Sequence, residues 1–156
     1  MLIMSDQQAF ESLRAFFEER PICASASDSL SQSVEIGVVI NGNLECVFHK
    51  ENGRPRFSQR PASKPDVVFH LNQNSIESLV NDKTGEIGEL GINIVKSYLA
   101  GDIKIRVVGS MINLLTQGYL GVIKAGGISF AKFLASHEVN GLGKIKDVIQ
   151  GLKSRK

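Results

Sequence analysis

The sequence predicts an α+β fold in which helices cover one face of a five-stranded, mostly antiparallel sheet. Three observations carry that prediction. Residues 34–48 alternate apolar with other residues on both sides of Asn41-Gly42, the pattern of a hairpin. Residues 6–20 and 87–98 instead repeat their apolar side chains at helical spacing. Ile103, Ile105 and Val107 alternate with Lys104 and Arg106, as in a half-buried strand.

Ser5 and Gln8 have the spacing of a capping box, in which a hydroxyl and an amide satisfy each other's backbone donors at a helix start. Phe10, Leu13, Phe16 and Phe17 continue that helix. Arg20-Pro21 ends it, because proline disfavours helix in the residue before it, so the first helix runs over about Asp6 to Arg20. After a polar Ser/Ala stretch comes the hairpin. A two-residue loop would put Val38 on the face of Glu45. A three-residue loop pairs Ile40 with Leu44 and gathers Val38, Ile40, Leu44, Cys46 and Phe48 on one face, so the odd loop with a bulge is expected.

Glu51-Asn52-Gly53 makes the next turn, and residues 54–60, polar and containing a proline, read as an exposed edge strand. Pro61 and Pro65 bracket a connector to a fourth strand with Val67, Phe69 and Leu71. Residues 72–75 then offer N-caps for a short helix carrying Ile76, Leu79 and Val80. Gly85 separates it from a longer helix with Ile87, Leu90, Ile94 and Tyr98, which Gly101 stops. Lys104 and Arg106 of the fifth strand should face water.

Past Gly109-Ser110 a further helix is predicted, with Ile112, Leu115, Tyr119 and Val122 along one face and Gly118, Gly121 and Ala125 along another. Gly126-Gly127 interrupts it. Each interior glycine costs about 1 kcal/mol of helix stability relative to alanine, which close packing or conformational freedom has to offset.

Composition narrows the function classes. A chain of 156 residues suits one core, and its formal net charge of +2 with no tryptophan offers neither a broad basic footprint nor a stacking platform for nucleic acid. Cys23 and Cys46 form no CxxC pattern, and the N-terminus has no basic and apolar export signal, so a reducing, cytoplasmic setting is expected. Between Met111 and Ala135, polar residues break the apolar run well short of the ~18 residues of a membrane span.

Catalytic chemistry is hard to find. His49, His70 and His137 stand singly, without metal-ligand spacing, and no nucleophile elbow is present. His70 should occupy the sheet face opposite its apolar neighbours, and Cys46 should be a small core residue. Residues 85–91, GEIGELG, miss the spacing and context of a dinucleotide loop, and Gly143-Lys144 lacks the rest of a phosphate loop. No cofactor, metal or enzymatic activity is expected.

Taken in order, PDVVFHLNQNSIESLV, the helix ending LAGD, and GDIKIRVVGS leading into MINLLTQGYL resemble the sterol carrier protein type 2 family over about Asp6 to His137. The resemblance implies a hydrophobic tunnel between sheet and helices that holds fatty acids, fatty acyl-CoA, sterols or other lipids, in a carrier without catalysis. Transferred to this sequence, the tunnel wall comprises Ile103 and Ile105, then Ile112, Leu115, Tyr119 and Val122, with Leu90, Ile94 and Tyr98 closing the other side. Each of these residues would equally serve an ordinary core. Gly118, Gly121, Gly126 and Gly127 would let the wall open for release.

The expected organisation is a lipid-binding domain over 1–137 and an amphipathic basic extension over 138–156. In the extension Lys144, Lys146, Lys153, Arg155 and Lys156 could meet an anionic membrane surface, while its apolar face could instead pack on the domain. No nucleic-acid partner is expected, and the oligomeric state is open. The rival reading is a protein-interaction or regulatory domain whose pocket is filled by side chains, accessory to a pathway that handles lipophilic intermediates.

Overall fold

Ser5 starts the first helix as its spacing predicts. Its Oγ accepts from the Gln8 N–H and the Gln8 side chain accepts from the Ser5 N–H, which fixes α1 at Asp6–Glu19. The computed structural model describes residues 4–108 together with Gly118 and Gly121. Arg20 ends α1 in an extended conformation, but Pro21 opens a further helix, α2 (Pro21–Ser27), instead of leading into a loop. Proline at the first position of a helix gives up an N–H that has no helical partner there anyway, so the residue that stops one helix can begin the next.

The hairpin pairs β1 (Glu35–Ile40) with β2 (Leu44–Glu51), Ile40 opposite Leu44 and Val38 opposite Cys46, which is the three-residue loop. Asn41 and Gly42 both take positive φ, at 51° and 71°, and the Asn43 N–H closes the turn on the Ile40 carbonyl. Asn43 is thus the extra residue that brings the apolar positions of both strands to one face. Asn52 and Gly53 turn β2 into β3 (Arg54–Ser58), with Glu51 opposite Arg54. β3 lies at an edge, as expected, yet only half of it is exposed. Pro55 and Phe57 are buried while Arg54 and Arg56 face water.

The burial of β3 comes from α1. Phe10 stacks on Phe57 with centroids 5.4 Å apart, and Phe17 meets Phe48 at 5.3 Å and Phe57 at 5.1 Å. Such aromatic pairs add about 0.5–1.5 kcal/mol each beyond the area they bury. Glu18 reinforces the contact, its carboxylate accepting from the Phe57 N–H at 2.8 Å.

β4 (Val67–Leu71) pairs in parallel with β1, and β5 (Ile103–Val107) pairs antiparallel with β4, giving the order β3-β2-β1-β4-β5. The connector from β3 to β4 is tied to Glu35, which accepts from the Ser63 and Lys64 N–H groups and meets Arg60 at 3.4 Å. Between β4 and β5 lie α3 (Gln73–Asn81), capped by Asn72, and α4 (Ile87–Leu99). The Gly101 N–H bonds the Tyr98 carbonyl and the Asp102 N–H the Ser97 carbonyl, with Gly101 at φ 87°, a Schellman ending that turns the chain into β5.

Alternation then assigns the faces. Ile36, Val38, Ile40, Val67, Phe69, Leu71, Ile103, Ile105 and Val107 share the helix-covered face of β1, β4 and β5. His70, Lys104 and Arg106 lie on the other, as predicted, with Lys104 and Arg106 exposed. Among the described residues, no helix is long and apolar enough to cross a membrane.

Candidate functional site

The helix-covered face is not covered evenly. At one end Ile40, Leu71 and Ile103 form a row across β1, β4 and β5 and are sealed, Ile103 being 2% exposed. In the next row Val38 is buried, but Phe69 and Ile105 are only half-buried. In the last row Ile36 is half-buried and Val107 is 45% exposed, with Val108 beyond it at 48%. The apolar face therefore opens along β5 from its first residue to its last. Every residue that β1, β4 and β5 place on it is apolar, so it presents shape without a polar code.

α4 packs against β5. Leu90 and Val95 are buried, whereas Ile87, Ile94 and Tyr98 are partly buried against the same core. The expected site residues thus divide. Leu90 and Ile103 are within the protein core; Ile94, Tyr98 and Ile105 sit at its half-open margin. Ile112, Leu115, Tyr119 and Val122, with Gly126, Gly127 and the residue 137 boundary, lie outside the described residues, as do Lys144, Lys146, Lys153, Arg155 and Lys156.

Gly118 and Gly121 are described, and both lie against Ser29 in the turn between α2 and β1. The Ser29 hydroxyl donates to the Gly118 carbonyl at 3.0 Å. A Cβ at 118 would collide with the Ser29 carbonyl oxygen, and one at 121 with the Ser29 side chain. Gly118 also holds a φ of 90°, so glycine is required there twice over.

Phe69, Val107 and Ile36 belong to the opening; the sequence marks them as apolar strand positions but not as site residues. The signal was available, since each occupies an alternate position on a strand whose other members were recognised. Composition could not show that coverage fails at this end.

Groups with chemical potential lie elsewhere. Burial pushes the Cys23 thiol up to about 12, only slightly countered by Arg20, and the Cys46 thiol up to about 11, so both are packing residues rather than nucleophiles. On the opposite sheet face the His49 Nε2 and Ser58 Oγ are 2.8 Å apart. Burial and the nearby Arg60 charge hold His49 below its ordinary value against the opposing pull of Glu35, Glu51 and Glu18. No group of His, Cys, Asp and Glu able to hold a metal ion occurs among the described residues.

No family model and no curated protein matches the chain. Among solved structures it is similar to a ubiquinone synthesis protein described as UbiJ-SCP2, at 12% identity and a TM-score of 0.45, over 74% of this chain and 90% of that one. It is also similar to the sterol carrier protein domain 2 of Helicoverpa armigera, at 20% identity and a TM-score of 0.42, over 76% and 85% of the two chains. A third is sterol carrier protein 2 of Yarrowia lipolytica, at 12% identity and 0.40, over 74% and 95%.

Proposed function

We propose that the chain binds a hydrophobic ligand, a fatty acid, fatty acyl-CoA, sterol or other lipid, along the apolar face between α4 and the β4–β5 pair, and carries it without catalysis. One observation carries the reading: a continuous apolar surface, sealed at Ile103, is left half-open at Phe69, Ile105 and Val107. The sequence resemblance to the sterol carrier protein type 2 family supports it. In this reading Ile94, Tyr98 and Ile105 contact ligand with Ile112, Leu115, Tyr119 and Val122, the 1–137 unit is the carrier, and the basic extension delivers it to anionic membrane in the cytoplasm. Burying roughly ten methylenes at about 0.8 kcal/mol each gives binding that is useful yet reversible once association costs are subtracted.

The burial of Ile103, with Ile40 and Leu71 beside it, favours the rival at that end of the face. Native mass spectrometry of the purified chain, followed by titration with a fluorescent fatty acid, separates the two. A carrier retains or takes up lipid, and Ile105→Asp weakens uptake at least tenfold, because it puts a charge onto the half-open surface. No uptake by a folded chain establishes the filled domain instead.

A further inference from the structure

We propose that the outer edge of β5 is a docking strand for an extended segment of a partner protein in which apolar residues alternate with Asp or Glu. Two backbone bonds set the phase of the ladder. The Val108 N–H bonds the Asp66 carbonyl at 2.9 Å, and the Asn72 N–H bonds the Asp102 carbonyl at 3.3 Å. Between them, antiparallel pairing turns the backbone groups of Lys104 and Arg106 toward β4 and those of Ile103, Ile105 and Val107 away from it. Ile103 is covered, which leaves Ile105 and Val107 to present the edge. No described residue pairs with β5 on that side.

The opposite edge of the same sheet is closed. The Glu51–Arg54 turn sends the backbone of Pro55 and Phe57 outward, but Pro55 has no N–H and the Phe57 N–H already donates to Glu18. One edge has lost its donors and the other keeps them.

The side chains of β5 specify the occupant. Lys104 and Arg106 are exposed on one side of the strand and make no ion pair among the described residues. On the other side are half-buried Ile105 and exposed Val107. An added strand would set apolar residues beside Ile105 and Val107 and carboxylates beside Lys104 and Arg106. A second copy of β5 fits poorly, because antiparallel self-pairing puts Lys104 and Arg106 against their own copies. An anionic bilayer would satisfy the charges but not the outward N–H groups.

The test uses the full chain, an acetylated and amidated Val-Glu-Val-Glu-Val peptide, its lysine counterpart, and vesicles of phosphatidylglycerol in phosphatidylcholine. The acidic peptide should slow amide hydrogen exchange at Ile105 and Val107 at least tenfold, and the lysine peptide should not. Val107→Pro removes one outward N–H without breaking a ladder bond, and Lys104→Glu with Arg106→Glu reverses the charge. Each should weaken peptide binding at least fivefold while the β1–β2 amides stay protected. If Val107→Pro unfolds the chain, the exposed charge reversal carries the test alone. Absence of protection at Ile105 and Val107, equal binding of the lysine peptide, or protection by vesicles alone overturns the proposal, the last in favour of a membrane surface.

Discussion

A single carboxylate, Glu35, holds the connector that lets β4 lie beside β1, and its titration should be visible in the stability of the whole chain. Partial burial pushes Glu35 up, but the N–H groups of Lys64 and Ser63 and the Arg60 charge and hydrogen bond together outweigh that and hold it below its ordinary value. A carboxyl depressed in the folded state stabilises fully above its unfolded value, and that contribution is lost as pH falls through the folded one. The window therefore lies below about pH 4.5, the ordinary value. His49 is depressed as well, so the unfolded chain takes up a proton first and stability falls as pH drops below about 6.5. Denaturant midpoints measured against pH should be flat from neutrality until the pH nears 9, the ordinary thiol value, where ionisation of Cys23 and Cys46 in the unfolded chain begins to lower them; on the acid side they should decline from about 6.5 and again below about 4.5. Glu35→Gln should lose about 1 kcal/mol near neutral pH, as expected for charge-assisted bonds at a partly exposed site, and should keep only the first decline. A second decline below about 4.5 in that variant, as large as the parent's, would exclude Glu35 as the group responsible.

α2 shows how an element can be invisible to periodicity and still be held firmly. It has no basic residue in its last turn, but Lys50 arrives from β2 and its Nζ donates to the Ser27 carbonyl at 3.2 Å and the Leu30 carbonyl at 2.9 Å. A cation at the carbonyl end of a helix offsets the dipole as well as making the bonds. Lys50→Met should keep the packing of the aliphatic stem and cost about 1–2 kcal/mol in chemical denaturation, with the difference from the parent shrinking at high salt. A cost below a few tenths of a kcal/mol would mean that water serves those carbonyls equally well. Because a proline that ends one helix can start another, Pro21 was legible only as a stop. Elements with longer periodic runs were legible, and so was the Ile40–Leu44 register, since the two-residue loop, one residue out of phase, puts Glu45 on the apolar face. The neighbour relation of β1 and β4 was not, because it depends on a connector whose anchor, Glu35, looks in sequence like any polar strand end. Within the candidate site, alternation showed which residues of β5 face the helices, but how far α4 covers them is a tertiary outcome that no local pattern encodes.

At the scale of the whole molecule, the turn after α2 joins two regions far apart in sequence, since Ser29 touches both Gly118 and Gly121. Glycine at these positions is explained by close approach, although Gly118 stands in a turn at φ 90° and not within the helix predicted there, and the two contacts differ in kind. At 118 the obstacle is backbone, the Ser29 carbonyl, and φ is positive; at 121 it is the Ser29 side chain. Gly118→Ala and Gly121→Ala should each destabilise the fold, by about 1–3 kcal/mol, the usual range for forcing atoms into a filled site. Ser29→Gly removes the side chain but leaves the carbonyl in place. It should therefore recover most of the loss from Gly121→Ala and almost none of that from Gly118→Ala, a coupling that a double-mutant cycle in chemical denaturation reads directly. Equal recovery of both, or of neither, would show that the segment does not pack on Ser29. Alanine tolerated at both positions without loss would return these glycines to the other account, in which they serve the opening of a wall.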